Sequence, residues 1–233
     1  MDQLLRLIED RHSAREPFDS QHQLLPQDLQ RILEAARWAP TAHNMQNFEI
    51  VIVDEPALLD SLGAIRSKVS ETFLRENYEQ LSFSEAELRQ KGTGLLSASF
   101  PVAWTDPDQL AQVAQESAPV TLSQTLQGAP TLLIALYDTR KRAPASEGDV
   151  LGLMSLGCMM ENLWLMAQSL GVGMQIMSVF SEEPVAGAVA RALAIPAHMK
   201  IAFAARLGYP IAPSSDYLRV RRAASAFTHY NRF

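Results

Sequence analysis

The chain has 233 residues, of which 47% are hydrophobic and 20% are charged, and its formal net charge is −6. This composition predicts a globular protein with a packed core and excludes a disordered or fibrous chain. The acidic balance argues against nucleic-acid binding, which usually needs a basic face. A single cysteine, Cys158, excludes an intramolecular disulfide, and we expect it to be buried in its apolar surroundings.

A short N-terminal helix is predicted over residues 2–10, where leucine and isoleucine recur at helical spacing. The sequence "DRHSARE", residues 10–16, follows it and places Arg11, Ser13 and Arg15 at alternate positions. Guanidinium groups bind phosphate oxygens through paired N–H donors, and a serine hydroxyl adds another donor. The pattern therefore fits a phosphate ester, although on these residues alone a solvated basic turn is the more frequent explanation.

Helices and strands alternate along the next part of the chain. A helix begins near Pro26 and ends at Ala39-Pro40, and a second one is predicted in "EPALLDSLGAI". Buried strands are predicted in "NFEIVIVDEP", "APTLLIALYD", "GMQIMSVF" and "KIAFAARLGYP". A long central helix is predicted over residues 149–170, and its polar residues lead us to expect no membrane span. The order of elements predicts an α/β or α+β sandwich of helices on a sheet.

Two stretches lack a clear pattern. Residues 67–127 are predicted to form a variable helical excursion or lid within a single domain of residues 1–233. The last residues, 212–233, are basic and aromatic, so we expect them to dock on their own domain or on a partner. Three arginines in this tail, at 219, 221 and 222, are either a solvated face or half of an anion site.

The loop "APTAHNMQ", residues 39–46, offers Thr41, His43, Asn44 and Gln46 as hydrogen-bonding groups between a helix and a strand. A loop that only ends the helix explains it equally well. The histidines show no metal-ligand spacing, and no dinucleotide fingerprint, nucleophile elbow or phosphate-loop lysine motif occurs. A cofactor that carries the chemistry is therefore the simplest hypothesis.

Five stretches, in their order along the chain, resemble the nitroreductase family of flavoproteins. The sequence "RHSAR" resembles its Arg-x-Ser-x-Arg/Lys phosphate signature, and "ILEAARWAPTAHNMQNFEIVIV" resembles its helix, Ala-Pro-Ser/Thr loop and strand. The sequence "ENLWLMAQSLGVGMQIMS" is similar to its dimer-core helix and Leu-Gly-x-Gly turn, and "IPAHMKIAFAARLGYP" and "RVRRAASAFTHYNRF" are similar to its last strand and tail. The resemblance covers nearly the whole chain except residues 67–127.

The resemblance implies an α+β three-layer sandwich, with a central mixed or antiparallel sheet flanked by helices, in an intertwined homodimer. It implies FMN at each subunit interface and a tail, 212–233, that crosses to the partner. It assigns no catalytic side chain and no metal. The residues it assigns to FMN are Arg11, His12 (through its backbone), Ser13, Arg15, Arg219 and Arg221 on the phosphate and ribityl side; Pro40, Thr41, Ala42 and Asn44 from the other subunit; and Gln175, Ile176, Met177 and Ser178 along the reactive edge of the ring.

The activity that the resemblance implies is passage of a hydride from NAD(P)H through flavin N5 to electron-poor acceptors such as nitroaromatics or quinones, in a substituted-enzyme cycle. The alternatives are a specialised member, such as a reductive dehalogenase or flavin-processing enzyme, a non-enzymatic flavin-binding redox sensor, and a structural dimer without cofactor. We expect a cytoplasmic protein without nucleic-acid or membrane partners, because the N-terminus lacks an apolar signal core.

Overall fold

The structure is a computed structural model that describes residues 2–78, 82–84, 86–87, 90, 95–96, 102–212 and 221–233. Contacts within the chain group the residues into two compact units. The first unit comprises Met1–Ser67 and Thr121–Ser214, and the second comprises Lys68–Val120 and Ser215–Phe233.

The first unit is built around a four-stranded sheet, here called the main sheet. Its strands, in chain order, are Phe48–Val53, Thr131–Asp138, Gly173–Met177 and Met199–Gly208. The spatial order is first, second, fourth, third, and every neighbouring pair is antiparallel. The predicted strands are thus confirmed in place, except that the third ends at Met177 and continues as a short 3-10 helix, Ser178–Ser181.

Both faces of the main sheet are covered, which gives the three layers. Along the second strand, Leu133 and Ala135 join the hydrophobic cluster on one face, whereas Leu132 and Ile134 join the cluster on the other. This alternation follows from the two-residue period of a strand. It explains why the strand is a continuous apolar run, and it confirms the predicted α+β class with an antiparallel sheet.

Six helices of the first unit surround this sheet. The Val150–Ser169 helix, here called the central helix, packs on the Pro26–Arg37 helix, and the Asn162 side-chain amide donates to the Ala35 carbonyl at 3.0 Å. Proline occupies the start of two helices, as predicted, because its missing N–H has no partner in a first turn. The other helices are Asp2–Asp10, Pro56–Gly63, Leu122–Leu126 and Val185–Ala192, and two-residue strands occur at Arg66–Ser67 and Val120–Thr121.

Two apolar helix faces lie on the surface of the single chain. The central helix buries Leu156, Met159 and Leu163 but exposes Leu153 and Met154 on its other side. The N-terminal helix exposes Leu4, Leu5 and Ile8. Cys158 lies on the exposed face of the central helix, so the expectation that it is buried was wrong. The apolar residues around it in the sequence belong to two different faces.

The central helix with its preceding turn, Glu147–Ser169, is long and apolar enough to cross a membrane by length and composition. Its polar residues therefore do not exclude a membrane span by length and composition, contrary to the expectation from the sequence. A core helix passes the same test, and this helix contributes five residues of its buried face to the hydrophobic core of the first unit.

The second unit contains two described α-helices, Glu71–Glu76 and Leu110–Glu116, and the 3-10 helix Val102–Thr105. Phe73 and Trp104 meet edge to face with ring centroids 6.1 Å apart, and the Lys68 ammonium donates to the Gln115 carbonyl at 2.9 Å. Two short strands, Ser82–Phe83 and Leu95–Leu96, pair in parallel. The described tail, residues 221–233, is exposed throughout and contains one 3-10 turn, Ala224–Ala226.

Candidate functional site

Residues 11–18, here called the N-terminal segment, follow the first helix without regular secondary structure, with a bend at Glu16 and an isolated bridge between Phe18 and Pro210. Ala14, Glu16 and Phe18 are buried, with 2%, 7% and 3% of their surface exposed. Between them, Ser13 is half-buried and Arg15 is exposed. Because Ser13 and Arg15 alternate with the buried residues, they share the outer side of the segment. The alternate spacing seen in the sequence thus has a structural basis.

The start of the N-terminal segment lies against the central helix. The guanidinium carbon of Arg11 is 4.5 Å from the centre of the Trp164 ring, and Arg11 Nε is 3.4 Å from Glu161 Oε1. The Trp164 indole N–H donates to the His12 carbonyl at 3.0 Å. Arg11 is therefore oriented by an aromatic face and a carboxylate, and the His12 backbone is attached to the helix.

A buried arginine that the sequence reasoning missed holds the middle of the N-terminal segment. Arg206, on the fourth strand, has no exposed surface. Its guanidinium donates to the Ala14 and Glu16 carbonyls, each at 3.0 Å, and to the Leu126 carbonyl at 3.2 Å. Arg206 Nε donates to the Gln175 side-chain oxygen at 2.7 Å. One side chain thereby ties together three segments that are far apart in the sequence.

Phe18 closes the end of the N-terminal segment over two strands of the main sheet. Its ring lies 4.4 Å from the Arg206 guanidinium carbon. A Cβ atom added at Gly173 would be 2.6 Å from the Phe18 ring, and one at Gly208 would be 2.7 Å from Phe18 Cβ. Real Cβ atoms do not approach so closely. Gly173 of the "LGVG" sequence and Gly208 of the "RLGYP" sequence are therefore needed for this close approach.

Residues 39–46, here called the helix–strand loop, are held mainly by their own groups. The Thr41 hydroxyl accepts from the Gln46 N–H at 3.2 Å, and the Gln46 side chain donates to Asn44 Oδ1 at 3.2 Å. His43, Asn44 and Gln46 all adopt positive φ angles, between 44° and 52°, which non-glycine residues rarely do. The single long-range bond runs from the Ala42 N–H to the Ser155 hydroxyl at 2.9 Å.

The residues predicted to lie beside the flavin ring are at the end of the third strand and just after it. This strand pairs with the fourth strand, with Gln175 opposite Arg206, and among the described residues its other edge carries no strand. Gln175 uses its side-chain oxygen to accept from Arg206, so its outward-facing groups are those of the backbone. Met177 is buried, whereas Ser178 is exposed at the start of the 3-10 turn.

Within the described part of the first unit, the predicted site residues lie in separate places along the central helix. The helix–strand loop contacts the central helix at Ser155 and the N-terminal segment contacts it at Trp164, positions about 13 Å apart along the helix axis. Exposed Pro40 belongs to the loop. Arg221 belongs to the exposed tail of the second unit, and Arg219 lies outside the described residues.

A cavity of about 480 Å³ adjoins the N-terminal segment. It is lined by His12 and Ala14, by residues 171–173 and 210–212, and by Gln168. Ser13 and Arg15 do not line it, because they face the other side of the segment.

Two ionisable groups near these segments are shifted by their surroundings. Two hydrogen bonds from the Arg140 guanidinium and one from its backbone N–H lower the pKa of Asp138 far below its ordinary value of 3.8. Burial raises the pKa of Tyr209, whose hydroxyl donates to Asp28 at 2.8 Å. Within the described ranges, no group of three or more His, Cys, Asp or Glu side chains is placed to bind a metal ion.

Comparison with known proteins identifies the family of this fold. The model of the nitroreductase family matches residues 8–209. The chain belongs to the nitroreductase family. This match confirms the predicted resemblance, and membership of this family supports an oxidoreductase as the functional class.

Solved structures of this family share the fold over nearly the whole chain. A nitroreductase with bound FMN from Bacteroides fragilis NCTC 9343 is 20% identical, with 99% of this chain and 100% of that chain covered and a TM-score of 0.59. A nitroreductase with bound FMN from Desulfitobacterium hafniense DCB-2 is 16% identical, with both chains fully covered and a TM-score of 0.59. A nitroreductase family protein from Clostridium difficile 630 is 14% identical, with 98% of each chain covered and a TM-score of 0.63.

Proposed function

We propose that this protein is an FMN-dependent oxidoreductase that takes electrons from NAD(P)H and reduces flat, electron-poor acceptors such as nitroaromatics or quinones. The observation that carries this proposal is the N-terminal segment, which presents Ser13 and Arg15 on one outer side while its inner side is fixed. Family membership and the FMN in the similar structures from Bacteroides fragilis and Desulfitobacterium hafniense support the same choice of cofactor.

The chemistry of the N-terminal segment fits a phosphate group. Arg11 and Arg15 supply guanidinium donors, and Ser13 supplies a hydroxyl between them. Charge-assisted N–H and O–H donors of this kind are the usual partners of phosphate oxygens. We assign Arg11, Ser13 and Arg15 to the FMN phosphate and ribityl side, with His12 contributing its backbone and with Arg219 and Arg221 of the tail completing the anion site.

The remaining assignments concern the ring of the flavin. FMN, when bound, would supply the hydride chemistry at N5. The backbone of Gln175, Ile176, Met177 and Ser178 would donate to the polar edge of the ring. Beyond the Met174 carbonyl, which accepts from the Ala14 N–H, no described strand covers this edge of the third strand, and the Gln175 side chain is already engaged. No side-chain general base is needed for this reaction.

We further propose that the protein functions as a homodimer. Its exposed apolar faces on the N-terminal and central helices are of the kind that a second subunit covers. The helix–strand loop and the N-terminal segment contact the central helix about 13 Å apart, so in one site they would come from different subunits. Pro40, Thr41, Ala42 and Asn44 would then face the partner's FMN, and the exposed tail would cross to the partner.

We place this enzyme in the cytoplasm.

The test begins with the visible spectrum of the purified protein before and after FMN is added, followed by mass analysis of the released cofactor. We expect flavin absorption and one FMN per chain. Anaerobic mixing with NADH or NADPH should bleach this absorption, and a nitroaromatic or quinone should restore it. A colourless protein after FMN addition would contradict the proposal, and slow reduction by both nicotinamides would favour a redox sensor.

A further inference from the structure

We infer that Arg206 is the positioning residue of the anion site: it holds the backbone of the N-terminal segment so that Ser13 and Arg15 face the phosphate together. Arg206 itself lies on the inner side of the segment, without exposed surface, and donates to the Ala14 and Glu16 carbonyls. This inference rests on the proposed function, because it concerns how the chain holds the FMN phosphate.

Arg206 makes two hydrogen bonds to the backbone of the N-terminal segment. Arg206 donates to the carbonyls of residues 14 and 16, so its two bonds lie on either side of Arg15 in the sequence. Fixing both carbonyls fixes the backbone on each side of Arg15 and just after Ser13. The two outward side chains then have one relative orientation before any anion binds, which reduces the entropy lost on binding.

Arg206 also connects the anion site to the strand that we propose lies beside the flavin ring. Its Nε bonds to Gln175 on the third strand, and another guanidinium nitrogen bonds to the Leu126 carbonyl just before the second strand. A planar guanidinium has five N–H donors in fixed directions, so it can serve all four acceptors at once. The spacing between the phosphate end and the ring end of the flavin site is thereby set by one residue.

Burying a cation at this position of the strand costs free energy of hydration. A guanidinium without exposed surface loses its hydration, a penalty that an apolar residue at this position would avoid. In the sequence "AFAARLGYP" the other strand residues are apolar or small. The bonds to Ala14, Glu16 and Gln175 give a functional reason for a buried arginine at this position of the strand.

The experiment compares FMN with riboflavin, which has the same ring and ribityl chain but no phosphate. Dissociation constants for both ligands are measured by flavin fluorescence for the wild-type protein, Arg206→Met and Arg206→Lys. We expect Arg206→Met to weaken FMN binding by about tenfold or more and riboflavin binding by less than about threefold. Arg206→Lys keeps the charge, but a single ammonium cannot serve acceptors in three segments, so we expect it to remain defective.

Leu62→Ala is the matched control, because Leu62 is fully buried in the Pro56–Gly63 helix, outside the segments to which Arg206 donates. It should lower the melting temperature while the ratio of FMN to riboflavin affinity stays at the wild-type value. Equal loss of both ligands in Arg206→Met would make the role of Arg206 merely structural and overturn the inference. An FMN affinity of Arg206→Lys equal to that of the wild type would also overturn it, since the positive charge alone would then suffice. If Arg206→Met does not fold, the ratio of FMN to riboflavin affinity is measured for Arg206→Lys instead, and a ratio equal to that of the wild type would overturn the inference.

Failure of the proposed function has a different signature. A wild-type protein that binds neither flavin is then titrated with inorganic phosphate. Phosphate binding that weakens in Arg206→Lys would support the inference while the proposed function fails. Phosphate binding that is unchanged in the variant, or absent from the wild-type protein, would overturn the inference too.

Discussion

The N-terminal segment is held by distant parts of the chain, whereas the helix–strand loop is held mostly by itself. The Arg206 bond to Ala14 spans 192 residues and the Trp164 bond to His12 spans 152. In the loop, the Thr41 and Asn44 bonds span five and two residues, and only the Ser155 bond, over 113, is long-range. A segment held from a distance keeps its shape only in the complete fold, while a locally bonded loop retains part of its shape whenever its own groups meet.

The difference has a meaning for the proposed site. A phosphate needs several donors at fixed distances, which suits a rigidly attached segment. A flat ring needs a surface that follows it, and a strained, exposed loop with three positive φ angles can adjust. Four substitutions test this contrast, and they follow from the largest expected effect to the smallest.

Gly208→Ala should remove the contact on which the end of the N-terminal segment depends. The new Cβ would be 2.7 Å from Phe18 Cβ, so either the segment or the fourth strand must move. We expect the free energy of unfolding to fall by about 2–3 kcal/mol in urea titrations. Gly187→Ala is the control, because its nearest atom is the movable end of the Glu183 carboxylate at 3.0 Å. Equal stability of the two variants would refute the steric argument.

Trp164→Phe should loosen the start of the N-terminal segment while the aromatic packing stays. It removes the indole N–H that bonds to the His12 carbonyl. The expected loss of stability is about 1 kcal/mol, with faster amide exchange in residues 11–16. Trp38→Phe is the control, since its indole bonds to Glu34 on the surface. Unchanged exchange in the segment would show that Arg206 alone is sufficient to hold it.

Ser155→Ala should affect the helix–strand loop only. It removes the one long-range acceptor of the loop, the hydroxyl that binds the Ala42 N–H. We expect a loss of about 0.5–1 kcal/mol and faster amide exchange in residues 40–46, with residues 11–16 unchanged. Ser169→Ala is the control, because its hydroxyl bonds within the same helix, to the Met166 carbonyl. Faster exchange in both regions would mean that the two are coupled.

The smallest effect concerns the end of the helix–strand loop, where the Asp138 N–H bonds to the Asn47 carbonyl. Arg140 lowers the pKa of Asp138, so the ionised carboxylate contributes stability above the ordinary value of 3.8, and this contribution is lost as the pH falls toward the lower folded value. The melting temperature of Arg140→Gln should lie below that of the wild type at pH 7, and this difference should shrink below about pH 4. Lys141→Gln, with the same change in charge, should show no such trend; a difference that grows in acid would contradict the assignment.

The elements of the first unit could be predicted because their information is local. Helical spacing, proline at helix starts and a continuous apolar run identify the Pro26–Arg37 helix and the second strand directly. The alternation of Ser13 and Arg15 was also visible, and in the structure these two residues alternate with the buried Ala14 and Glu16. The exposed position of Cys158 was not predictable, because an apolar helix with two apolar faces does not indicate which face the sheet covers.

Arg206 and Ser155 were missed for a different reason. Each is a polar residue inside an apolar stretch, and each has a partner more than 110 residues away in the sequence. The signal that was present is the polar residue itself: a charged side chain at a buried position of a strand, or a hydroxyl on the buried face of a helix, needs a partner. Which segment provides that partner depends on how the chain folds back, and a single sequence does not contain that information in local form.

The bonds between residues 14–19 and residues 206–211 also set an order of events during synthesis. The N-terminal segment leaves the ribosome before the groups that hold its second half, from Arg206 to the Tyr209 carbonyl that accepts from Asp19, which are made almost two hundred residues later. The Arg206 and Tyr209 bonds to the segment can therefore form only when the fourth strand joins the sheet. A ribosome-bound chain that stops before residue 206 would carry every residue of the segment and still lack the arrangement that presents Ser13 and Arg15.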